Sequence, residues 1–341
     1  MSCSFLGTAL PLIQAPMAGS QDAALAVAVS TAGGLGSLPC AMLSAEALRI
    51  AVAQLQAMQR PYNLNFFSHT PTAPDAHREQ QWRAALRPFY LEMGLDPENI
   101  PDAPGRQPFS AAIADIVAPF RPPVVSFHFG LPEPSLLREV KRWGSTVLST
   151  ATTVEEARWL AAHGADAIIA QGSEAGGHRG MFLTTDITTQ MSTFALVPQI
   201  VAAVDVPVIA AGGIADAAGV RAALALGASA VQVGTAYLCC DEATTSAVHR
   251  AALLSETAMH TALTNLFSGR PARGIMNRLM RELGPMSDVP PAFPLASTAI
   301  APLRAAAERM GSGDFSPLWA GQNVSGCKQL PAADITRALC Q

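Results

Sequence analysis

The 341-residue chain is expected to fold as a (β/α)8, or TIM, barrel with an additional helical cap after its eighth strand. Three observations lead there. Short apolar, β-rich runs alternate with Ala- and Leu-rich helical stretches, and eight such strands can be counted up to Leu238. The segment His163-Gly-Ala-Asp-Ala-Ile-Ile-Ala170 echoes Leu226-Gly-Ala-Ser-Ala-Val-Gln-Val233, each reading as a glycine that ends a helix and then a buried strand. Between Val206 and Leu238 lies one complete βαβ unit with a glycine turn at the carboxyl end of both strands. Its first strand, Pro207 to Ala211, is apolar enough for burial on both faces. Asp216 sits at the N-cap of a helix over Ala217 to Leu226, and Gly227 stops that helix. Ala230 to Val233 is the second strand.

The other elements follow the same rhythm. Leu10 to Ala15 reads as the first strand, Asp22 to Thr31 as a helix, and Leu35 to Leu38 as the second strand. Ser44 caps a helix to about Met58, with Glu46 in the first turn, where a carboxylate suits the dipole. Tyr62 to Phe67 is the third strand. Residues 68–109 break the pattern with six prolines around a helix near Ala76 to Met93, and read as an excursion over the barrel mouth. Ser110 to Ala118 returns as a helix, Val124 to Phe129 is strand four, and Thr146 to Ser149 is strand five. Helices are expected at Pro134 to Trp143, at Val154 to His163 with Thr153 as cap, and near Phe194 to Ala203. Ala167 to Ala170 is strand six. After Leu238 the pattern is helical, near Glu242 to Leu254, Arg270 to Leu283 and Ala299 to Met310. Residues 1–238 are thus expected to form the barrel with its Pro-rich insertion near 68–109. Residues 239–296 form a helical cap over the substrate, and residues 297–341 a helix returning to the barrel plus a C-terminal tail. Met276, Met280 and Met286 suit packing within the cap.

Composition narrows the function. Half of the residues are hydrophobic and only 14% are charged, which implies a large core rather than disorder. The net charge is −4 and no Lys/Arg cluster is visible, so nucleic acid is not an expected partner. The longest apolar stretch is broken by Gly pairs, Asp216 and Arg221, which argues against a membrane span. The opening stretch, MSCSFLGTALPLIQAPMAG, has no basic region and runs into a strand, so no signal peptide is expected. The six cysteines show no C-x-x-C and no metal-ligand spacing, and read as thiols in a reducing cytoplasm.

Candidate site residues sit at the carboxyl ends of strands, where barrels place their chemistry. Gly212-Gly213 and, 19 residues after Gly213, the run Gln232-Val233-Gly234-Thr235 offer two turns with open backbone N–H groups after strands seven and eight, the usual phosphate site. His178 lies among Gly176, Gly177 and Gly180, where glycine lets a flat ligand approach and imidazole can act as a base. In Ser126-Phe-His128-Phe-Gly130, period-two alternation puts Ser126, His128 and Gly130 on one face; His128 meets the ligand if that face is the barrel interior, and is otherwise a hydrogen-bonded core histidine. Gln171 ends strand six with an amide that donates and accepts. Asn63 and Asn65 share a face and need a polar partner. Glu174 and Arg179 are expected to pair and shape their loop. No Ser/His/Asp nucleophile elbow is present, and Gly33-Gly34-Leu35-Gly36 precedes a strand, so it is no dinucleotide fingerprint.

Taken together, Gln14-Ala-Pro-Met-Ala-Gly19, Ala32-Gly-Gly-Leu-Gly36, Asn65, Gln171 to Gly180 (QGSEAGGHRG), Ala211-Gly-Gly-Ile214 and Gln232 to Thr235 resemble the nitronate monooxygenases, FMN-dependent barrels. The resemblance extends to Arg273-Gly-Ile and Trp319-Ala-Gly-Gln322; Gly19-Ser20-Gln21 departs from the family, which often has a further Gly or Thr there. It implies His178 as the catalytic residue, because the branch acting on propionate 3-nitronate has a similar Glu174-Ala-Gly-Gly-His178 loop. It implies FMN contacts at Asn65, Gln171, Gly176, Gly213 and Gln232 to Thr235, with the phosphate at Gly212-Gly213 and Gly234-Thr235, and His128 near the substrate. It also implies a nitronate and molecular oxygen as reactants, a carbonyl compound and oxidised nitrogen as products, and a chain working alone or as a homodimer. An FMN-dependent NAD(P)H:quinone or enoyl-thioester reductase on the same barrel is the alternative, and a flavin-free lyase or isomerase holding a substrate phosphate is a further one.

Overall fold

Residues 3–100 and 106–341 are described by the computed structural model; Pro101 and Pro104 of the Pro-rich excursion lie outside them. Eight parallel strands form one sheet: β1 (Leu12–Gln14), β2 (Gly36–Pro39), β3 (Tyr62–Phe67), β4 (Val124–His128), β5 (Thr146–Ala151), β6 (Ala167–Gln171), β8 (Val208–Ala211) and β9 (Ala230–Val233). Their order is β1-β9-β8-β6-β5-β4-β3-β2, and a parallel bridge between Ile13 and Leu35 closes the ring. The expected TIM barrel is therefore what forms.

Its helices are α1 (Ala23–Thr31), α2 (Ala45–Ala57), α4 (Ala111–Val117), α5 (Pro134–Arg142), α6 (Val154–Ala162), α7 (Thr193–Val201) and α8 (Ala217–Ala225). Most begin at a residue that the sequence marks. Asp22, Ser44, Ser110, Thr153, Ser192 and Asp216 each accept a backbone N–H of the first turn. Such a cap stabilises by roughly 1 kcal/mol, so local chemistry sets the starts well.

Period-two alternation sorts the strand residues. Ile13, Leu35, Val124, Leu148, Ile169 and Ile209 fill the lower interior of the barrel. Their alternates, such as Val125, Val147, Ile168 and Val231, pack outward against the helices. One step further along the strands the interior turns polar. Asn63 Nδ2 donates to Ser37 Oγ at 3.0 Å and Ser126 Oγ at 2.9 Å, and Asn65 Nδ2 donates to Ser126 Oγ at 2.9 Å. Ser126 and His128 do face the interior, and Ser126 is the partner that the two amides needed.

Most of the remaining elements lie over the carboxyl ends of the strands. They include α3 (Ala76–Glu92), β7 (Gly177–His178), α9 (Ala247–Leu253), β10 (Thr261–Thr264), β11 (Ala272–Ile275), α10 (Arg278–Leu283) and α11 (Ala296–Arg309), whereas α12 (Ala332–Leu339) packs beside the barrel. Here the structure corrects the sequence reading. The stretch from Arg270 to Leu283 is not one helix: β11 occupies its first half and joins the antiparallel sheet β10-β11-β7, and only α10 is helical. Ala272 and Arg273 find ladder partners in the His178 segment, and Gly274 and Ile275 in β10, which no local pattern could announce. α9 starts later than expected, at the Ser246 cap.

α11 does not return to the barrel. It packs on α3, with Trp82, Leu86, Phe89 and Tyr90 facing Ala299, Ile300, Leu303 and Phe315. Trp82 Nε1 donates to Ala296 O at 3.1 Å and Tyr90 Oη to Ala299 O at 2.6 Å. The element that does return is α12, set against α1 and α8, where Tyr237 and Thr336 hydroxyls meet at 2.9 Å. Met280 is buried in the α3/α11 cluster and Met276 packs on it, whereas Met286 is exposed.

Trp82 is the largest buried side chain holding α3 to α11, so Trp82→Ala is expected to destabilise that layer by roughly 3–5 kcal/mol. Urea unfolding followed by far-UV circular dichroism should show an early transition in the variant. An unchanged profile would mean that α3 is held by other contacts.

Candidate active site

A cavity of about 1390 Å³, its open mouth included, lies at the carboxyl ends of the strands. That is room for a ligand larger than a single ring. Alternate strand residues form its floor: Asn65, Ser126, His128, Thr150, Gln171, Ala211 and Gln232. Gly212, Gly213, Gly234 and Thr235 line one end, and Gly176, Gly177, His178 and Trp319 also line the wall. Val233 does not: alternation turns its side chain outward into the core between sheet and helices. Its carbonyl takes the N–H of Ala15 at 2.8 Å.

The glycine turns are shaped for close approach. Gly212 and Gly213 have φ of 122° and 73°, a region that side-chain-bearing residues rarely adopt. A Cβ on Gly176 would stand 2.6 Å from the Ala320 carbonyl carbon and the Gly321 nitrogen, so this glycine lets the C-terminal tail lie across the loop. That tail straps the turns: Gly321 N donates to Thr235 Oγ1 at 2.9 Å and Asn323 Nδ2 to Gly213 O at 3.1 Å. Gln232 Oε1 is buried with no partner among the described residues.

His178 is not on a free loop. β7 is zipped to β11, with His178 opposite Ala272 and Gly177 opposite Arg273. Its carbonyl accepts from Gln171 Nε2 at 3.0 Å and meets His128 Nε2 at 3.2 Å. A carbonyl only accepts, so His128 carries its proton on Nε2 and takes the Thr150 hydroxyl, 3.1 Å away, on Nδ1. Gln171 Oε1 accepts the N–H of Gly180 at 2.8 Å, so both ends of this amide hold the His178 segment. His178 Nε2 lies 2.8 Å from Ser268 Oγ. The ring packs among Trp319, Phe293 and Phe129, with centroids 5.5, 5.5 and 6.1 Å away.

Arg179 and Glu174 do not pair with each other; each shapes the loop separately. Arg179 is fully buried and donates to the carbonyls of Gly172 and Gln171, both at 2.6 Å, and to Gln190 Oε1 at 2.8 Å. The Glu174 carboxylate accepts from Thr193 N at 2.8 Å and from the Thr193 hydroxyl at 3.0 Å. The sequence reading missed Ser268, Trp319, Asn323, Arg106 and Arg270. Most lie on segments remote from the strand ends, and only Trp319 and Arg273 carried a signal, through the family resemblance.

The imidazole at the site is buried and has cationic neighbours. Burial, followed by the nearby Arg106, His128 and Arg270, holds the His178 imidazole well below its ordinary range, so it is neutral near pH 7. Burial pushes His128 down to about 4, and likewise His69 and His249. These groups bind fewer protons in the native state than in the unfolded chain. Stability is therefore fully present above the ordinary imidazole range and falls as pH drops from about 6.5 toward 4. Each histidine contributes a slope of up to about 1.4 kcal/mol per pH unit. Urea midpoints measured at several pH values in this window should decline steeply; a flat profile would mean that these rings are protonated in the fold.

The nitronate monooxygenase family profile matches residues 2–341. A nitronate monooxygenase of Pseudomonas aeruginosa is 42% identical, the match covering 98% of this chain and 97% of that protein. A probable nitronate monooxygenase of Bacillus subtilis is 35% identical, covering 97% and 95%. Among solved structures, a nitroalkane oxidase from Streptomyces ansochromogenes superposes with a TM-score of 0.91 at 37% identity, covering 99% of this chain and 96% of that one. FabK from Thermotoga maritima gives 0.70 at 26%, covering 98% and 93%. The chain belongs to the nitronate monooxygenase family and is an oxidoreductase of that family.

Proposed function

We propose that the protein is an FMN-dependent enzyme oxidising alkyl nitronates, propionate 3-nitronate above all, with molecular oxygen to a carbonyl compound and nitrite or nitrate. The observation that carries this is one cavity with paired glycine turns at one end and a neutral, sequestered His178 in its wall. The residues fit FMN. Gly212, Gly213, Gly234 and Thr235 would hold the phosphate, since their turns bring backbone rather than side chains to the cavity. Asn65, Gln171, Gly176 and Gln232 would hold the ring; the orphaned Gln232 Oε1 needs a donor, which a flavin carries. When bound, FMN supplies the electron chemistry, and the protein supplies position and electrostatics. Six free cysteines without a disulfide support work in the cytoplasm.

The chain's own residues handle the proton and the charge. With Ser268 accepting from Nε2–H, His178 Nδ1 is the basic atom left for the cavity. It can take the proton of a neutral nitroalkane, and then hydrogen-bond the anion as its conjugate acid. Arg106 lines the same cavity and draws an anionic substrate in. His128 has both nitrogens engaged, so its part is to hold the His178 carbonyl beside the substrate. Phe67 and Trp319 cover apolar surface and keep water out.

Heat release of the cofactor followed by chromatography should yield FMN; recovered FAD would overturn the single-phosphate assignment. Gly213→Asp is expected to purify without flavin, because it puts a like charge and a side chain into a φ-positive turn. A folded, fully yellow variant would place the phosphate elsewhere.

His178→Asn should retain FMN and lose turnover of neutral nitroalkanes by about 10²–10⁴-fold more than turnover of preformed nitronates. Ser268→Ala should show the same bias more weakly, because it frees the ring without removing the base. Steady-state kinetics with both substrate forms reads this. Equal losses in His178→Asn would mean that the residue positions the anion only.

A further inference from the structure

A second cavity sits behind the aromatic wall of the first and shares no lining residue with it. Phe129 and Phe293 line the second cavity, and both rings stand edge-on to His178, which lines the first. The chamber is bounded by the loop after β3 (Ser68, His69), the turn after β4, the segment near Phe182 and Thr185, and Gly269-Arg270.

Its polar atoms are unsatisfied. Among the described residues six buried side-chain nitrogen or oxygen atoms lack a partner, and three of them, Ser68 Oγ, His69 Nδ1 and Arg270 Nη1, belong to residues of this chamber. His69 is only 7% exposed. The Arg270 guanidinium lies 4.1 Å from the centroid of the Phe129 ring, and Nη2 makes one long bond, 3.3 Å, to Met181 O. Among the described residues no carboxylate lies within ion-pair distance of it. A half-buried cation whose buried Nη1 has no acceptor, beside a hydroxyl and an imidazole, is costly unless something accepts from it.

We propose that this chamber binds a small planar oxyanion, a carboxylate or its inorganic equivalent. A guanidinium donates to such a group in matching geometry. The Ser68 hydroxyl adds a second donor, and His69 a third as its Nδ1–H tautomer. Trp159, Phe182 and Phe293 give the rest of the chamber an apolar side, with Thr70, Thr72 and Thr185 also lining it, which suits a small anion with at most a short alkyl tail. Two sources share this chemistry: the acid end of a substrate whose nitronate lies beside His178, or a free anion such as nitrite. The first of these sources alone rests on the function proposed above; anion binding itself does not.

The test is calorimetric titration of the purified holoenzyme with sodium nitrite and, separately, sodium propionate, at fixed ionic strength with chloride as control. At least one anion should bind. Arg270→Met, which keeps the contact with Phe129, and Ser68→Ala should each weaken binding by about tenfold or more. Any anion held in the first cavity, beside Arg106 and His178, should not respond to these two substitutions, so the binding they remove reports the second chamber. Kinetics then separates the sources. If the substrate's acid end is the ligand, Arg270→Met raises KM for propionate 3-nitronate and not for ethyl nitronate; if a free anion is the ligand, both nitronates respond alike. No heat with either anion, or binding indifferent to both substitutions, overturns the proposal. The calorimetry requires no turnover, so that failure would leave the oxidation of nitronates standing.

Discussion

Two buried guanidiniums grip three consecutive carbonyls at the end of β6, and the site depends on that grip. Arg179 takes the carbonyls of Gln171 and Gly172, and Arg273 takes that of Ser173 at 2.8 Å. Carbonyls at a strand end that turns inside a protein have lost their ladder partners and need donors. Charge-assisted bonds of this kind contribute about 1.5–3 kcal/mol each. The partners are carbonyl dipoles rather than carboxylates, so both charges persist: burial lowers Arg179 to about 10, still protonated at neutral pH. Because Arg179 follows His178 directly, the grip that stops the loop from lifting also fixes where the imidazole stands.

The same two arginines join the barrel to the layer above it. Arg273 lies in β11, and β11 pairs with β7, so one strand of that layer supplies both the ladder and a guanidinium to the histidine segment. Gln171 and His128 hold the His178 carbonyl from the barrel side. His178 is thus clamped from above and below, while Ser268, also from the upper layer, addresses its Nε2. A base held from several directions loses little freedom on binding substrate, which is how positioning lowers a barrier.

Burial and positive charge then set the chemistry. The loss of water, and after it the nearby Arg106, His128 and Arg270, keep His178 uncharged, which leaves positive charge in the cavity to the fixed Arg106 guanidinium rather than to a titrating ring. Such charge attracts an anion at any working pH, while the imidazole stays free to accept a proton. In the function we propose, attraction and base chemistry therefore fall to different residues.

Much of this was legible in the residues alone. Alternating patterns, caps such as Ser44, Thr153 and Asp216, and glycine stops are local, within a turn or two of chain, and they determined the eight-strand barrel and its helices. Alternation put Ser126 with His128, and Asn63 with Asn65, on shared faces that the structure turns inward, Gln171 and Gln232 were read from their places at strand ends, and the glycines of both turns could be read because no other residue tolerates their geometry cheaply. Tertiary structure decided the rest. Whether Arg270 to Leu283 is helix or strand depends on β7 as a ladder partner, about a hundred residues away in sequence. That α11 packs on α3, and not on the barrel, follows from matching two apolar faces more than two hundred residues apart. Gathering Arg106, Ser268, Arg270 and Trp319 around one histidine is of the same kind: hydrogen bonds and desolvation act through space, so no pattern along the chain carries them.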